Sequence, residues 1–478
     1  MTNRLHFPQG FVWGSATAAY QIEGAAHADG RLPSIWDVFC QVPGRVHDGD
    51  TGEVACDHYH RMAEDLDLMA ALGLPSYRFS VSWPRVIPGG SGPVNEAGLD
   101  FYRRLVDGLL ERNVTPLLTL YHWDLPQALQ YEGGWANRDT VERFTAYAEV
   151  IGRALGDRVP TITTLNEPWC SAFLGHASGV HAPGLTDNAT ALAVAHHLNL
   201  AHGRAVSVLR SVSPAQLSIT LNLAQVHPAS DRPEDLAAAE HVDDLANRIF
   251  TEPILRGSYP ARLLRDTGHI TDWSFVADGD LAEISAPIDV LGVNFYAPSR
   301  VAAASEEIRS QVTGRWVNDP SSSESGPSPW PGTDRAYSVP QPGPYTAMGW
   351  PIVPDSLTEL LLRVHRDYPE IPLLVTENGA AFDDRLTGDQ VHDADRIDYV
   401  RQHLAAVHAA IEAGADVRGY YLWSLMDNFE WAWGYSKRFG MVHVDYASQQ
   451  RTPKDSALWF RDVIKNNAVE LPGGQPVR

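Results

Sequence analysis

Apolar residues gather in short runs along this chain, and between the runs they recur every three or four positions. Eight runs rich in β-branched or aromatic residues can be delimited: Phe11–Thr17, Ser76–Trp83, Thr115–His122, Ile162–Asn166, Leu217–Leu223, Val290–Tyr296, Pro372–Glu377 and Gly419–Trp423. Most are continuous rather than alternating, as expected of strands covered on both faces in a parallel sheet. The intervening segments have helical spacing. Over Tyr59–Leu72, Met62, Leu66 and Met69 fall on one side, and Leu99–Glu111 and Asp393–Ala413 read the same way. Strand–helix alternation repeated eight times predicts an α/β fold, a single-domain (β/α)8 TIM barrel. The 478 residues far exceed the about 250 that such a barrel typically has, so the excess is expected in long βα loops. The main insertion, Arg315–Pro344, carries a Ser-Ser-Ser-Glu-Ser-Gly-Pro run and further prolines between the sixth and seventh runs. It reads either as an irregular surface excursion or as a wall of the active site, and its place after a barrel strand favours the wall. No internal repeat and no Pro/Gly linker divides the chain, so residues 1–478 are expected to form one domain.

Composition narrows the function classes. With 44% hydrophobic and 20% charged residues the chain can bury a large core. Its 37 basic and 59 acidic residues give a net charge of −22, which repels nucleic acid and anionic membranes and disfavours phosphorylated substrates. Cys40, Cys56 and Cys170 are too few and too scattered for a disulfide framework or a cysteine-rich zinc site. The start, Met1 to Pro8, lacks an apolar signal core, and no stretch of about 18 apolar residues occurs. A soluble cytoplasmic protein is expected. His196, His197 and His202, like His58 and His60, lack the regular spacing of a zinc motif. Neither a Gly-x-Gly-x-x-Gly nor a P-loop sequence is present, so no metal and no cofactor is expected.

Four of the runs end in polar groups: Tyr121-His122-Trp123, Asn166-Glu167-Pro168, Asn294-Phe295-Tyr296 and Thr376-Glu377-Asn378-Gly379. In a barrel such ends surround the mouth where active sites form. A carboxylate at the end of an apolar run is costly to bury without a partner, which sets Glu167 and Glu377 apart. A single such glutamate reads equally as a structural acid paired with an arginine; two in matching contexts favour a reacting pair. Paired carboxylates suit glycosidic bond cleavage, one donating a proton and the other attacking or stabilising the anomeric carbon. Fourteen tryptophans, with Trp123, Trp169, Trp423, Trp431 and Trp433 near strand ends, fit a carbohydrate pocket, although packing alone also places tryptophans there.

At these residues the chain resembles a known family. Thr164-Leu165-Asn166-Glu167-Pro168 and Val375-Thr376-Glu377-Asn378-Gly379 are similar to the two catalytic signatures of the family 1 glycoside hydrolases. Phe11–Gly24 (FVWGSATAAYQIEG) resembles that family's N-terminal signature, and Tyr77–Trp83 (YRFSVSW) its second strand. Asp427–Trp431 (DNFEW) and Lys437–Gly440 (KRFG) are similar to its C-terminal segment. The resemblance implies a retaining β-glycosidase, foremost a β-glucosidase acting on β-glucosides and short oligosaccharides such as cellobiose. It makes Glu167 the general acid/base, Glu377 the nucleophile and Asn166 the partner of the sugar 2-hydroxyl. Gln21, His122, Glu430 and Trp431 match positions binding the other hydroxyls, and Trp423 the stacking platform. Arg78 and Tyr296 match contacts of the nucleophile; a nearby guanidinium would keep Glu377 charged, and that charge would help raise the pKa of Glu167. Trp169, Cys170, His181 and Trp350 match the aglycone side, with Cys170 read as a small apolar filler.

Glu430 matches the position that accepts from the 4- and 6-hydroxyls, where the 6-phospho branch carries serine, so repulsion argues for an unphosphorylated sugar. Lys437 is then a structural or solvated lysine rather than a phosphate ligand. Trp433 stands where many relatives have glutamate, which leaves the gluco, galacto or fuco preference open. A β-galactosidase, a β-fucosidase, a 6-phospho-β-glucosidase and a silent sugar-binding barrel are the competing readings.

Overall fold

The computed structural model describes residues 3–303, 328–332 and 336–472. Eight strands form its centre: β1 (Val12–Ala16), β2 (Ser76–Ser80), β3 (Thr115–Tyr121), β4 (Thr161–Asn166), β5 (Gln216–Asn222), β6 (Val290–Asn294), β7 (Leu373–Asn378) and β8 (Val417–Trp423). They pair in chain order, all parallel, and β8 closes the ring on β1. The fold is the closed (β/α)8 barrel that the alternation predicts. Every residue of β2, β6 and β7 is buried, so these strands are covered on both faces.

The runs and the strands part company at their ends. Ser76–Trp83 stops as a strand at Ser80, because Trp83–Val86 turns helical with Pro84 at its start, where a missing N–H costs nothing. Val290–Tyr296 stops at Asn294, after which Tyr296 turns to the nearby carboxylate of Glu377. The predicted helices form as His58–Ala71, Glu96–Glu111 and Ala394–Glu412, with Leu66 and Met69 buried and Met62 half-buried.

Two strands have irregular register next to their glutamates. The pairing slips between Thr163 and Asn166 in β4 and between Val375 and Glu377 in β7, and such bulges re-aim the side chains that follow. Glu167 itself has φ 45°, a left-handed backbone that costs on the order of 1 kcal/mol or more. After β7 the chain passes so close to β8 that a Cβ on Gly379 would lie 1.8 Å from the carbonyl oxygen of Trp423. Only glycine fits the turn behind Glu377.

The long loops stand on the C-terminal rim. Helical segment Cys170–Ser178 follows β4, and strands Val226–Pro228, Ser299–Ala303 and Ala336–Ser338 make a small sheet beside it. Within the predicted insertion, residues 315–327 and 333–335 lie outside the described residues, and the remainder supplies Trp330 and the strand Ala336–Ser338. Among the described residues no helix is long and apolar enough to cross a membrane.

Candidate active site

The strand ends converge on a pocket of about 1010 Å³, its open mouth included. Glu167 follows β4, Asn222 ends β5, Asn294 ends β6, Glu377 is the penultimate residue of β7, and Trp423 ends β8; all five line the pocket. Both glutamates are buried, yet their surroundings differ in kind.

Glu377 is the ion-paired one. Its Oε1 accepts from the buried guanidinium of Arg78, which projects from β2, and its Oε2 accepts from the Tyr296 hydroxyl at 2.6 Å. Among the described residues Glu167 makes no ion pair. Its Oε1 accepts from Asn294 Nδ2 at 2.7 Å, and its Oε2 faces the Cys170 thiol at 3.2 Å. Burial raises the Glu167 carboxyl above the usual carboxylate range, and the negative charge of Glu377 raises it further. Cys170, expected from sequence as an apolar filler, thus also makes a polar contact through its S–H.

Asn166 joins the two halves. Its Oδ1 accepts from Arg78 Nη2 at 2.6 Å and from Asn294 Nδ2 at 3.1 Å, and its Nδ2 lies 3.0 Å from His122 Nε2. A guanidinium can only donate, so Asn166 Oδ1 is an acceptor and its amide nitrogen donates to His122. His122 therefore carries its proton on Nδ1, an atom with no protein partner. Burial and the nearby Arg78 charge hold this ring well below its usual pKa, so it stays neutral and offers one N–H. Gln21 is fixed by Asn428 Oδ1 at 3.0 Å and the Phe429 carbonyl at 2.8 Å, and its amide reaches Glu430 at 3.5 Å. Gln21, Asn166 and Arg78 are buried and bond directly to the lining residues Glu430, His122 and Glu377 respectively.

Glu430 corrects one step of the sequence argument. Desolvation, then the charges of Glu377 and Glu167, push its carboxyl up to about 8. A carboxyl raised in this way holds its proton to higher pH than an ordinary glutamate and, while protonated, both donates and accepts. Among the described residues that line the pocket there is no lysine or arginine. Lys437 donates to the Ala347 carbonyl at 2.9 Å and lies 4.7 Å over the Trp433 ring, the structural lysine expected from sequence.

Aromatic faces complete the inner site. His122 stacks between Trp423 and Trp431, with centroids 5.9 and 6.0 Å away at 21° and 18°. Trp169, Cys170, His181 and Trp350 all line the pocket, and burial takes His181 down to about 3. Sequence reasoning gave no role to Asn294, Asn222 or Trp330. Asn294 was visible as a polar strand end, whereas Trp330, packed 5.0 Å from Trp169, comes from an aperiodic Pro-rich stretch. The scattered histidines are held elsewhere: His58 bonds Asp65 at 2.7 Å, His196 bonds Asp280 at 2.9 Å, and His202 bonds Thr164 at 2.7 Å.

A desolvated carboxyl and an ion-paired carboxylate share one aromatic pocket, the pairing that double displacement at a sugar carbon needs. Similarity to known proteins agrees with this chemistry. A thermostable beta-glucosidase B from Thermobispora bispora is 51% identical, over 97% of this chain and 92% of that protein. A bifunctional beta-D-glucosidase/beta-D-fucosidase from Bifidobacterium breve is 50% identical, over 97% of this chain and 99% of the relative. Among solved structures, a psychrophilic beta-glucosidase from Micrococcus antarcticus matches with a TM-score of 0.93 at 48% identity, covering 97% of this chain and 98% of that one. The family model described as glycosyl hydrolase family 1 matches residues 3–469, and the chain belongs to that family.

Proposed function

We propose that this chain is a retaining β-glucosidase, a single catalytic domain that hydrolyses terminal non-reducing β-D-glucosyl residues of β-glucosides and short oligosaccharides such as cellobiose. The observation that carries this reading is the unequal setting of the two buried carboxyls. Glu377, oriented by Arg78 and Tyr296, attacks the anomeric carbon and forms the covalent glycosyl-enzyme. Glu167, raised by burial, donates its proton to the departing oxygen and then, as a base, takes one from the water that releases the sugar. Asn166 is assigned to the 2-hydroxyl, where a bond strengthening in the transition state contributes several kcal/mol. Gln21, His122, Tyr296, Glu430 and Trp431 are assigned to the remaining contacts of that sugar, Trp423 to its apolar face. Trp169, Cys170, His181 and Trp350 are assigned to the aglycone side. Three buried free cysteines support a reducing, cytoplasmic setting. The printed name of the Bifidobacterium breve relative supports a second, β-D-fucosidase activity in the same pocket.

The test is stereochemical. Proton NMR should show the β-anomer of glucose as the first product, with the α-anomer growing in only by mutarotation. A first-formed α-anomer would overturn the double displacement. Glu430 gives a second prediction. Glu430→Ser removes a donor–acceptor group aimed at two hydroxyls and should lower kcat/KM on nitrophenyl β-glucoside about 100-fold. The wild type should cleave the 6-phosphorylated glucoside far more slowly than the plain one, and preferred turnover of the phosphate would refute the assignment.

A further inference from the structure

The direction of every hydrogen bond at Glu167 can be traced from Arg78. Because Arg78 donates to Asn166 Oδ1, the Asn294 atom 3.1 Å from that oxygen is the amide nitrogen, and Asn294 Oδ1 accepts from Thr376 Oγ1 at 2.8 Å. The same nitrogen donates to Glu167 Oε1. An oxygen already accepting from an amide N–H is the carbonyl-like oxygen of a neutral carboxyl, so the proton of Glu167 belongs on Oε2. The side chain at Oε2 is Cys170, whose sulfur is in turn approached by Asn222 Nδ2 at 3.8 Å. The Cys170 backbone is tied to the same glutamate, its N–H donating to the Glu167 carbonyl at 2.9 Å.

We propose that Cys170 is a positioning residue for the proton of Glu167: its S–H donates to Oε2 when that oxygen is charged and yields when Oε2 carries the proton, so the proton enters and leaves the carboxyl at Oε2 alone. This rests on Glu167 being the acid/base. The thiol stays protonated throughout, because burial and then the adjacent Glu167 charge raise it far above the usual thiol range. The other groups facing Glu167 are Glu377, Arg78, Tyr296 and Glu430, and none of them changes in the variants below.

The alkaline limb of kcat/KM reports loss of the acid's proton in the free enzyme. Cys170→Ala removes a donor to the charged form, so the limb for a poor leaving group such as methyl β-glucoside should move up by about half a pH unit. Cys170→Ser supplies a stronger O–H donor of similar size, so the limb should move down. With dinitrophenyl β-glucoside, whose departure needs no proton, the first step should show no alkaline limb in the wild type or in either variant, whatever its absolute rate. Shifts of the same sign in Ala and Ser, no shift in either, or equal losses on both substrates would show that Cys170 only shapes the wall. Thermal unfolding checks that each variant is folded, and the Ser variant keeps the sign test alive if Ala misfolds. Glu167→Ala is the separate control: an alkaline limb that survives there would fault the assignment of Glu167 rather than the part played by Cys170.

Discussion

Replacing Glu377 should lower kcat on nitrophenyl β-glucoside by about five orders of magnitude, the largest effect of any single change in this site. The expectation follows from what the residue supplies. In the proposed mechanism its carboxylate forms the bond to the anomeric carbon, and among the described residues neither Glu167 nor Glu430, the other carboxyls lining the pocket, is held by a guanidinium as Glu377 is by Arg78. Loss of fold must be told apart from loss of chemistry. Alanine at position 377 strands the buried Arg78 without its counter-ion, a change that typically costs about 3–5 kcal/mol. Glu377→Gln avoids that penalty in part, because its amide oxygen still accepts from Arg78 and its nitrogen can donate to the Tyr296 hydroxyl. The Gln variant should therefore unfold near the wild-type temperature and still be inactive. Added azide should reach the empty space in Glu377→Ala and give the α-glucosyl azide by single displacement. A folded Gln variant retaining a tenth of wild-type activity would remove Glu377 from the nucleophile's role.

Barrel and carboxylates were legible in the sequence for a shared reason. A strand buried on both faces has no choice but a continuous apolar run, and a carboxylate at the end of such a run is costly unless it is partnered. Leu373, Leu374 and Val375, ahead of Glu377, are of this kind; Ser76–Ser80 is buried as well but holds Ser76, Arg78 and Ser80, of which Arg78 partners Glu377. What stayed hidden depends on direction rather than composition. Whether Asn294 serves the core or Glu167 is decided by a bulge in β7 and by the donor-only guanidinium across the barrel on β2, neither of which leaves a period in the sequence. Cys170 reads as filler because its neighbours in sequence, Trp169 and Ser171, are neutral; its effective neighbour is the glutamate three residues earlier, brought back by the left-handed turn at Glu167. Glu430 reads as a charge, and it takes burial, and then the crowding of three carboxyls in one pocket, to raise its carboxyl to about 8.

Glu167→Ala should divide substrates by their leaving groups. An alkyl alcohol or a second glucose cannot depart without a proton, so methyl β-glucoside and cellobiose should lose about 100- to 10,000-fold in kcat/KM. Dinitrophenolate departs unaided, so the dinitrophenyl glucoside should still form the glycosyl-enzyme, seen as a burst. Release then stalls, because the same residue activates the water of the second step. The pH profile should change with it. Glu167 is active while protonated, and its raised carboxyl holds the proton to higher pH than an ordinary glutamate, so the wild type loses kcat/KM as pH rises through that pKa. In Glu167→Ala the loss on the alkaline side should vanish while the acidic side persists. Azide needs no base and should restore turnover, yielding β-glucosyl azide with two inversions at carbon. The alanine leaves no buried counter-charge behind, because Glu167 makes no ion pair among the described residues, so this variant is expected to fold as well as the wild type. If azide gave the α-product here and the β-product in Glu377→Ala, the two roles would be exchanged. If methyl β-glucoside and the dinitrophenyl glucoside slowed by the same factor, Glu167 would not be the proton donor at all.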